Sequence, residues 1–156
     1  VAAVLGLPFA FASHFAPAQM TRALELYRTR FQPSEQLDEP YVMLGFNVFA
    51  ADTDQEAELL STSVQQAFVN LRRGRPTPLP PPRQGYGVEL QPAERAVLES
   101  VLSCSAVGSP ATVRRRMAEF IAQTGADELM IAAQIYDHQA RLRSFRIAAE
   151  QAAATE

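Results

Sequence analysis

Three continuous apolar runs of strand length are spaced along the chain, at residues 8–15, 41–50 and 128–136. Continuous runs of this kind are typical of strands buried on both faces, as in parallel sheets covered by helices. The first run ends in two polar side chains, Ser13 and His14, and the strands of α/β folds present ligand-binding groups at this end. The pattern therefore predicts three buried strands, the first of which leads into a candidate site.

Apolar residues at helical spacing occupy most of the chain between and after these runs. They predict helices over residues 17–31, 53–73, 92–102 and 109–125, and a last helix that Asp137 caps. Residues 1–6 indicate the end of another helix, which Gly6 closes. Eight prolines and glycines between residues 74 and 87 predict an exposed irregular loop.

Buried strands that alternate with amphipathic helices indicate parallel pairing, because parallel neighbours need a crossover connection. We expect an α/β fold in one partial domain over residues 1–156, formed by the last three strand-helix units of a TIM-type (β/α)8 barrel. Helices would cover the parallel strands, with an irregular excursion around residues 74–91. A small self-contained three-stranded sheet, and a chain completed by a partner, are the alternatives.

Composition limits the classes of function. The chain has 156 residues, of which 47% are hydrophobic and 20% charged, as in globular domains, and its net charge of -3 does not suggest a nucleic-acid or membrane surface. No run approaches the roughly 20 apolar residues that cross a bilayer, and no secretory signal is evident, so we expect a cytoplasmic protein. The single cysteine, Cys104, and two histidines offer no disulfide and no zinc-binding pattern.

Side chains alternate between the two faces of a strand, and one face of each predicted strand mixes small with polar residues. That face comprises Ala10, Ala12, His14, Gly45, Asn47, Phe49, Ala132, Gln134 and Tyr136. We therefore expect His14, Asn47 and Gln134 to face the barrel interior near its carboxyl-terminal mouth, where a ligand needs hydrogen-bond partners. Ser13 would take the place of His14 if the strand carries a bulge. The alternative is that these polar groups bond to backbone in a packed core.

Two further motifs each allow a structural and a functional interpretation. Gly108-Ser109-Pro110 begins a helix and could hold a phosphate on its free N–H groups, although an ordinary serine cap also explains it. Pro78-x-x-Pro81-x-Arg83 matches the pattern that SH3-type domains bind, although a surface excursion or a lid over the site explains it equally.

Four segments resemble the carboxyl-terminal half of bacterial luciferase-like flavin-dependent monooxygenases. They are Gly-Leu-Pro-Phe-Ala-Phe-Ala-Ser-His-Phe at 6–15, Val-Gly-Ser-Pro-Ala-Thr-Val at 107–113, Thr-Gly-Ala-Asp-Glu-Leu at 124–129 and Ile-Tyr-Asp-His-Gln-Ala-Arg-Leu-Arg-Ser-Phe at 135–145. Each motif is weak alone, but their order and spacing are specific. The family fold is an eight-stranded α/β barrel, and the chain would match strands six to eight.

The resemblance implies reduced FMN as cosubstrate, supplied by a separate flavin reductase, together with dioxygen and a small organic substrate. Ala12, Ser13 and His14 match the region that approaches the flavin ring in the family, and Asn47 and Gln134 are the candidate substrate contacts. The family's usual catalytic residues and its phosphate-binding residues correspond mainly to positions before residue 1, so no catalytic residue is assigned. A deazaflavin-dependent oxidoreductase of the same fold, and a non-catalytic barrel remnant that binds a partner through its proline-rich loop, remain alternatives, and a homo-oligomer stays open.

Overall fold

The computed structural model describes residues 1–153, which form one four-stranded sheet and six α-helices. The strands are β1 (Phe9–Phe11), β2 (Val42–Ala50), β3 (Ser105–Gly108) and β4 (Glu128–Ala132). The helices are α1 (Met20–Thr29), α2 (Asp54–Arg72), α3 (Tyr86–Glu89), α4 (Pro92–Val101), α5 (Pro110–Thr124) and α6 (His138–Ala153). All three strand pairs are parallel, which confirms the predicted α/β class with a parallel sheet.

β2 is the central strand and pairs with the other three. β1 pairs with residues 42–44, β3 with residues 47–50 and β4 with residues 43–47. The backbone of Tyr41 bonds to β1 and that of Asn47 bonds to the β3 segment. Backbone groups of alternate residues point to opposite edges of a strand, so β1 and β3 lie end to end along one edge of β2. β4 overlaps β1 in register and therefore lies along the other edge.

The two faces of the sheet differ in composition and exposure. One face, here the covered face, packs against α1, α5 and α6 and consists of Phe9, Phe11, Val42, Leu44, Phe46, Val48, Leu129 and Ile131. The other, here the open face, consists of Ala10, Met43, Gly45, Asn47, Met130 and Ala132, as the strand register requires. Leu44 on the covered face is 0% exposed, whereas Met130 on the open face is 56% exposed. This partition confirms the alternation predicted for the strands.

Helix α2 closes the carboxyl-terminal end of the open face. Phe49 and Val107 extend that face beyond Asn47, and they pack in one cluster with Leu60 and Val64 of α2. The helix begins at the predicted position, because Thr53 is its N-cap and Thr53 Oγ1 accepts the N–H of Glu56 at 3.2 Å. The open face is therefore accessible along its middle and amino-terminal part.

Three elements differ from the sequence prediction. β1 ends at Phe11 instead of Phe15, because the N–H groups of Phe15 and Ala16 both donate to Ala12 O and form a turn. The last strand ends at Ala132 instead of Tyr136. β3 was not predicted, because Ser-Ala-Val-Gly is four residues long and contains one large apolar side chain.

The proline-rich segment is irregular as predicted, but it packs against α2. Gln66 Nε2 donates to Pro81 O at 2.9 Å, and the Arg83 N–H donates to Thr62 Oγ1 at 2.8 Å. The short helix α3 follows and buries Tyr86. No helix within residues 1–153 has the length and apolar character needed to span a bilayer.

Candidate functional site

His14 lies on the open face, although it follows β1 in a turn instead of extending the strand. A Cβ atom built on Gly45 would lie 2.7 Å from His14 Cε1 and closer still to Nδ1. That Cβ would point to the open face, because Gly45 alternates with the covered-face residues of β2. The imidazole therefore rests on the strand at Gly45, as the sequence predicted for its face but by a different backbone path.

Asn47 lies beside His14 and is 5% exposed. Its Nδ2 donates to the backbone oxygen of His14 at 3.1 Å. The amide thus fixes the turn that carries the imidazole, which joins two residues that the sequence placed in one site. This bond also partly bears out the alternative interpretation, in which a buried polar side chain bonds to backbone.

Ser13 points away from the open face and into the sheet. It is fully buried, and its Oγ donates to Gly45 O at 2.6 Å. That carbonyl lies between the end of β1 and the start of β3, so the hydroxyl occupies a gap in the backbone pairing along β2. Ser13 consequently anchors the turn, while Ala12 is exposed at its start.

Gln134 lies outside the sheet. It is exposed, two residues beyond the end of β4, in the loop that leads to α6. Ala132, the last residue of that strand, is in register with Asn47. The structure therefore brings His14 and Asn47 together and leaves Gln134 at the carboxyl-terminal rim, beyond the paired part of β4.

Two residues of this region were not singled out from the sequence. Met130 is in register with Gly45 and offers an exposed thioether on the open face. Met130 and Ala132 are alternate residues of β4 and so share one face of the strand, and this alternation could have identified Met130 from the sequence. Ser105 is in register with Asn47, and its buried Oγ has no hydrogen-bond partner within residues 1–153. It was overlooked because β3 was not recognised as a strand.

The chemistry available on the open face is binding chemistry. His14 Nδ1 is buried without a hydrogen-bond partner in the described chain, and no carboxylate bonds to the ring. Glu128 lies at the amino-terminal rim, where its charge raises the pKa of the Tyr41 hydroxyl, its partner at 3.3 Å. Within residues 1–153, no group of three or more His, Cys, Asp or Glu could hold a metal ion. An imidazole, an amide and small apolar residues suit a flat ligand with polar edges.

The start of α5 is already capped by a carboxylate. Asp54 Oδ1 accepts the Ser109 N–H at 2.7 Å, and this hydrogen bond lowers the pKa of Asp54. Ser109 is the N-cap residue of α5 as predicted, but its side chain makes no hydrogen bond to the helix backbone, and Asp54 binds its N–H. Because the carboxylate occupies the position that an anion would take, this helix start does not support the phosphate interpretation.

The proline-arginine motif is held against its own chain. Arg83 pairs with Glu89 at 2.8 Å, and its backbone bonds to α2 as described above. Both side chains of this ion pair are about half exposed. The segment is therefore a packed surface excursion, and its arginine is not free to bind an external acidic groove without exchanging its partner.

Comparison with known proteins identifies similar sequences and folds. The family model described as luciferase-like monooxygenase matches residues 1–128. The luciferase-like monooxygenase of Escherichia coli (strain K12) is 51% identical over 148 residues, which are 95% of this chain and 44% of that protein. The protein YvbT of Bacillus subtilis (strain 168) is 45% identical over 150 residues, which are 96% of this chain and 45% of that protein.

Solved structures agree with these relatives. The crystal structure of apo-MsnO8 superposes with a TM-score of 0.79 at 29% identity, covering 97% of this chain and 46% of that one. The monooxygenase RslO1 from Streptomyces bottropensis has a TM-score of 0.59 at 19% identity, over 99% of this chain and 43% of that one, and this likeness shows the fold alone. The chain spans less than half the length of the relatives that it matches.

Proposed function

Because this chain belongs to the luciferase-like monooxygenase family, we propose that it is the carboxyl-terminal portion of an FMN-dependent monooxygenase that oxygenates a small organic substrate. In this proposal the sheet forms part of a (β/α)8 barrel, and the open face lines its interior. The family match supports an oxidoreductase. The observation that carries the flavin assignment is the imidazole of His14 lying on a strand floor of small residues.

The open face fits the ring of a flavin. Ala10 and Ala132 give it low relief beside the His14 ring, which covers Gly45, so a planar ring system can lie next to the imidazole. His14 would hydrogen-bond a polar edge of the ring, and Met130 would contact its apolar part. Asn47 would hold the turn in place. Reduced FMN supplies the electrons that activate dioxygen, while these side chains orient the ring and exclude water.

Three further residues would surround the bound flavin and the substrate. Ala12 would lie at the edge of the flavin, and Gln134 would contact the organic substrate from the loop after β4. Asn47, whose Nδ2 is bonded to His14, would meet the substrate through its remaining amide oxygen. The flavin phosphate would be held outside this chain, since Asp54 occupies the start of α5. A separate flavin reductase, a cytoplasmic location and a homo-oligomeric assembly complete the proposal.

A chimera tests this function in a complete barrel. The present chain replaces the matching 44% of the Escherichia coli relative, to which it is 51% identical over 148 residues. FMN is titrated into the purified chimera and into the unmodified relative, and binding is followed by quenching of flavin fluorescence. We expect saturable FMN binding by the chimera, and dioxygen consumption when a flavin reductase and NADH are added.

Other results would contradict this function in distinguishable ways. Binding of a deazaflavin but not FMN would show that the cofactor is wrong and favour the deazaflavin-dependent oxidoreductase. A folded chimera that binds neither, while the unmodified relative binds FMN, would remove the flavin site from this chain and favour a non-catalytic role. Circular dichroism of both proteins establishes that the chimera is folded.

A further inference from the structure

Gly45 is the only residue without a side chain in β2, which otherwise reads Val-Met-Leu-Gly-Phe-Asn-Val-Phe-Ala. Glycine weakens a strand interior, so it needs a reason there. Backbone conformation is not that reason, because Gly45 is absent from the residues with positive φ among those described. Space is the reason: a Cβ atom at this position would overlap the imidazole of His14.

We propose that Gly45 is a positioning residue that seats the His14 ring with its Nδ1 edge against β2. Nδ1, Cε1 and Cγ are the ring atoms nearest to the missing Cβ, in that order. Nε2 therefore lies on the ring edge that is farther from the strand, and it makes no hydrogen bond within the described part of the chain. The seat buries one ring nitrogen and leaves the other to meet a ligand on the open face.

The backbone on both sides of the ring is fixed by side-chain hydrogen bonds. Ser13 Oγ donates to Gly45 O at 2.6 Å, and Asn47 Nδ2 donates to His14 O at 3.1 Å. Both bonds join the turn to β2, one before and one after the imidazole. With the turn held at two points, a side chain at position 45 cannot be accommodated by a small backbone shift alone. The ring itself must rotate away.

The consequence for ligand binding rests on the proposed function. A rotated ring would no longer present Nε2 to a flavin on the open face, and one hydrogen bond contributes about three- to tenfold in affinity. Gly45→Ala should therefore act on the ligand only through His14. The placement of the ring itself does not depend on the identity of the ligand.

NMR spectroscopy of the 156-residue chain tests the seat without any ligand. We expect a nuclear Overhauser contact between His14 Hε1 and the Gly45 Hα protons, and its loss together with a shift of the His14 ring resonances in Gly45→Ala. Gly87→Ala is the matched control, since a Cβ at Gly87 meets nothing within 4 Å and its φ is not positive. Unchanged His14 resonances in Gly45→Ala would overturn the proposal.

FMN affinity in the chimera described above supplies the second test. We expect His14→Ala and Gly45→Ala each to weaken binding about three- to tenfold, and the double variant to bind no more weakly than His14→Ala, because removing the ring makes room for the new methyl group. Effects that multiply in the double variant would overturn the positioning role. If Gly45→Ala fails to fold, the same logic requires His14→Ala/Gly45→Ala to fold as His14→Ala does, and failure of both would contradict it. Absence of FMN binding by the parent chimera would contradict the proposed function, and the NMR result would then decide the role of Gly45.

Discussion

Single side chains complete the sheet where strands are missing. β4 ends in register with Asn47, so the edge of β2 beyond that point has no strand beside it. Ser144 of α6 takes its place, because its Oγ donates to Val48 O at 3.0 Å and accepts the Ala50 N–H at 2.9 Å. Ser13 does the same at the opposite edge through Gly45 O. Two serines of the motifs that suggested the family are thus structural hydrogen-bonding groups.

Replacing Ser144 with alanine should lower the free energy of unfolding by roughly 2–4 kcal/mol, because two buried backbone groups lose their partner. Urea denaturation of the chain measures this change. Ser103→Ala is the control, since Ser103 is exposed and its Oγ donates to Ser100 O within its own turn, and it should change stability by less than about 0.5 kcal/mol. Equal effects of the two substitutions would show that the edge of β2 is not completed by Ser144.

Asp54 should make stability depend on pH in the acidic range. Its hydrogen bond from the Ser109 N–H lowers its pKa in the folded state. The carboxylate therefore contributes stability above the unfolded pKa of about 3.9, and this contribution is lost as pH falls through the folded pKa.

The variant Asp54→Asn keeps an oxygen that can accept the Ser109 N–H but does not titrate. Unfolding free energies at several pH values between neutral and about pH 3 measure the difference between the two proteins. We expect the advantage of the parent chain to be constant near neutral pH and to shrink under acid. A difference that stays constant down to the lowest pH would contradict this role of Asp54.

At the scale of elements, hydrophobic periodicity predicted every α-helix of three turns or more and the central strand closely. Residues 17–31 and 109–125 were predicted as helices, and α1 and α5 lie within these ranges. α2 begins after its N-cap Thr53 and α5 ends before its C-cap Gly125, at the predicted limits of both helices. The end of β1 was predicted wrongly, because tertiary hydrogen bonds determine where this strand stops. The turn after Phe11 depends on Ser13 meeting Gly45, 32 residues away, and the sequence near residue 13 carries no sign of that partner.

β3 and the position of α2 illustrate the same limit. Ser105–Gly108 pairs with β2 through contacts more than 50 residues distant in sequence, and a four-residue segment has too little periodicity to predict a strand. Apolar spacing predicted α2 as a helix over residues 53–73, but it did not predict which part of the sheet the helix covers. The sequence therefore indicated the candidate site residues His14 and Asn47, but it did not indicate that Gly45 makes room for the imidazole or that Met130 lies on the open face.

Substitutions on the two faces of the sheet should differ sharply in cost. Leu44→Ala removes a side chain with no exposed surface on the covered face and should lower stability by about 2–5 kcal/mol. Met130→Ala removes a side chain that is 56% exposed on the open face and should change the stability of this chain by less than about 0.5 kcal/mol. Denaturant titration of both variants checks the prediction. A large loss for Met130→Ala would mean that the open face is packed in solution.

The sheet of this chain is packed against helices on its covered face and is partly exposed on its open face. β1 and β4 each pair only with β2 among the described strands, and edge strands of this kind are normally paired or covered. The chain spans less than half the length of each relative named above. The proposed barrel, in which further strands would flank β1 and β4, would account for both the free edges and the small residues of the open face.

The most direct test of the open face as the flavin site uses the four methionines as reporters. Their methyl groups are labelled with carbon-13 in the chimera, and FMN is added while the methyl resonances of Met20, Met43, Met117 and Met130 are followed by NMR. Met117 is 6% exposed beneath the covered face and serves as the internal control. We predict that FMN shifts the Met130 resonance through the ring current of the flavin and leaves Met117 in place. An unmoved Met130 resonance at saturating FMN, or shifts confined to Met117 and Met20, would contradict the assignment.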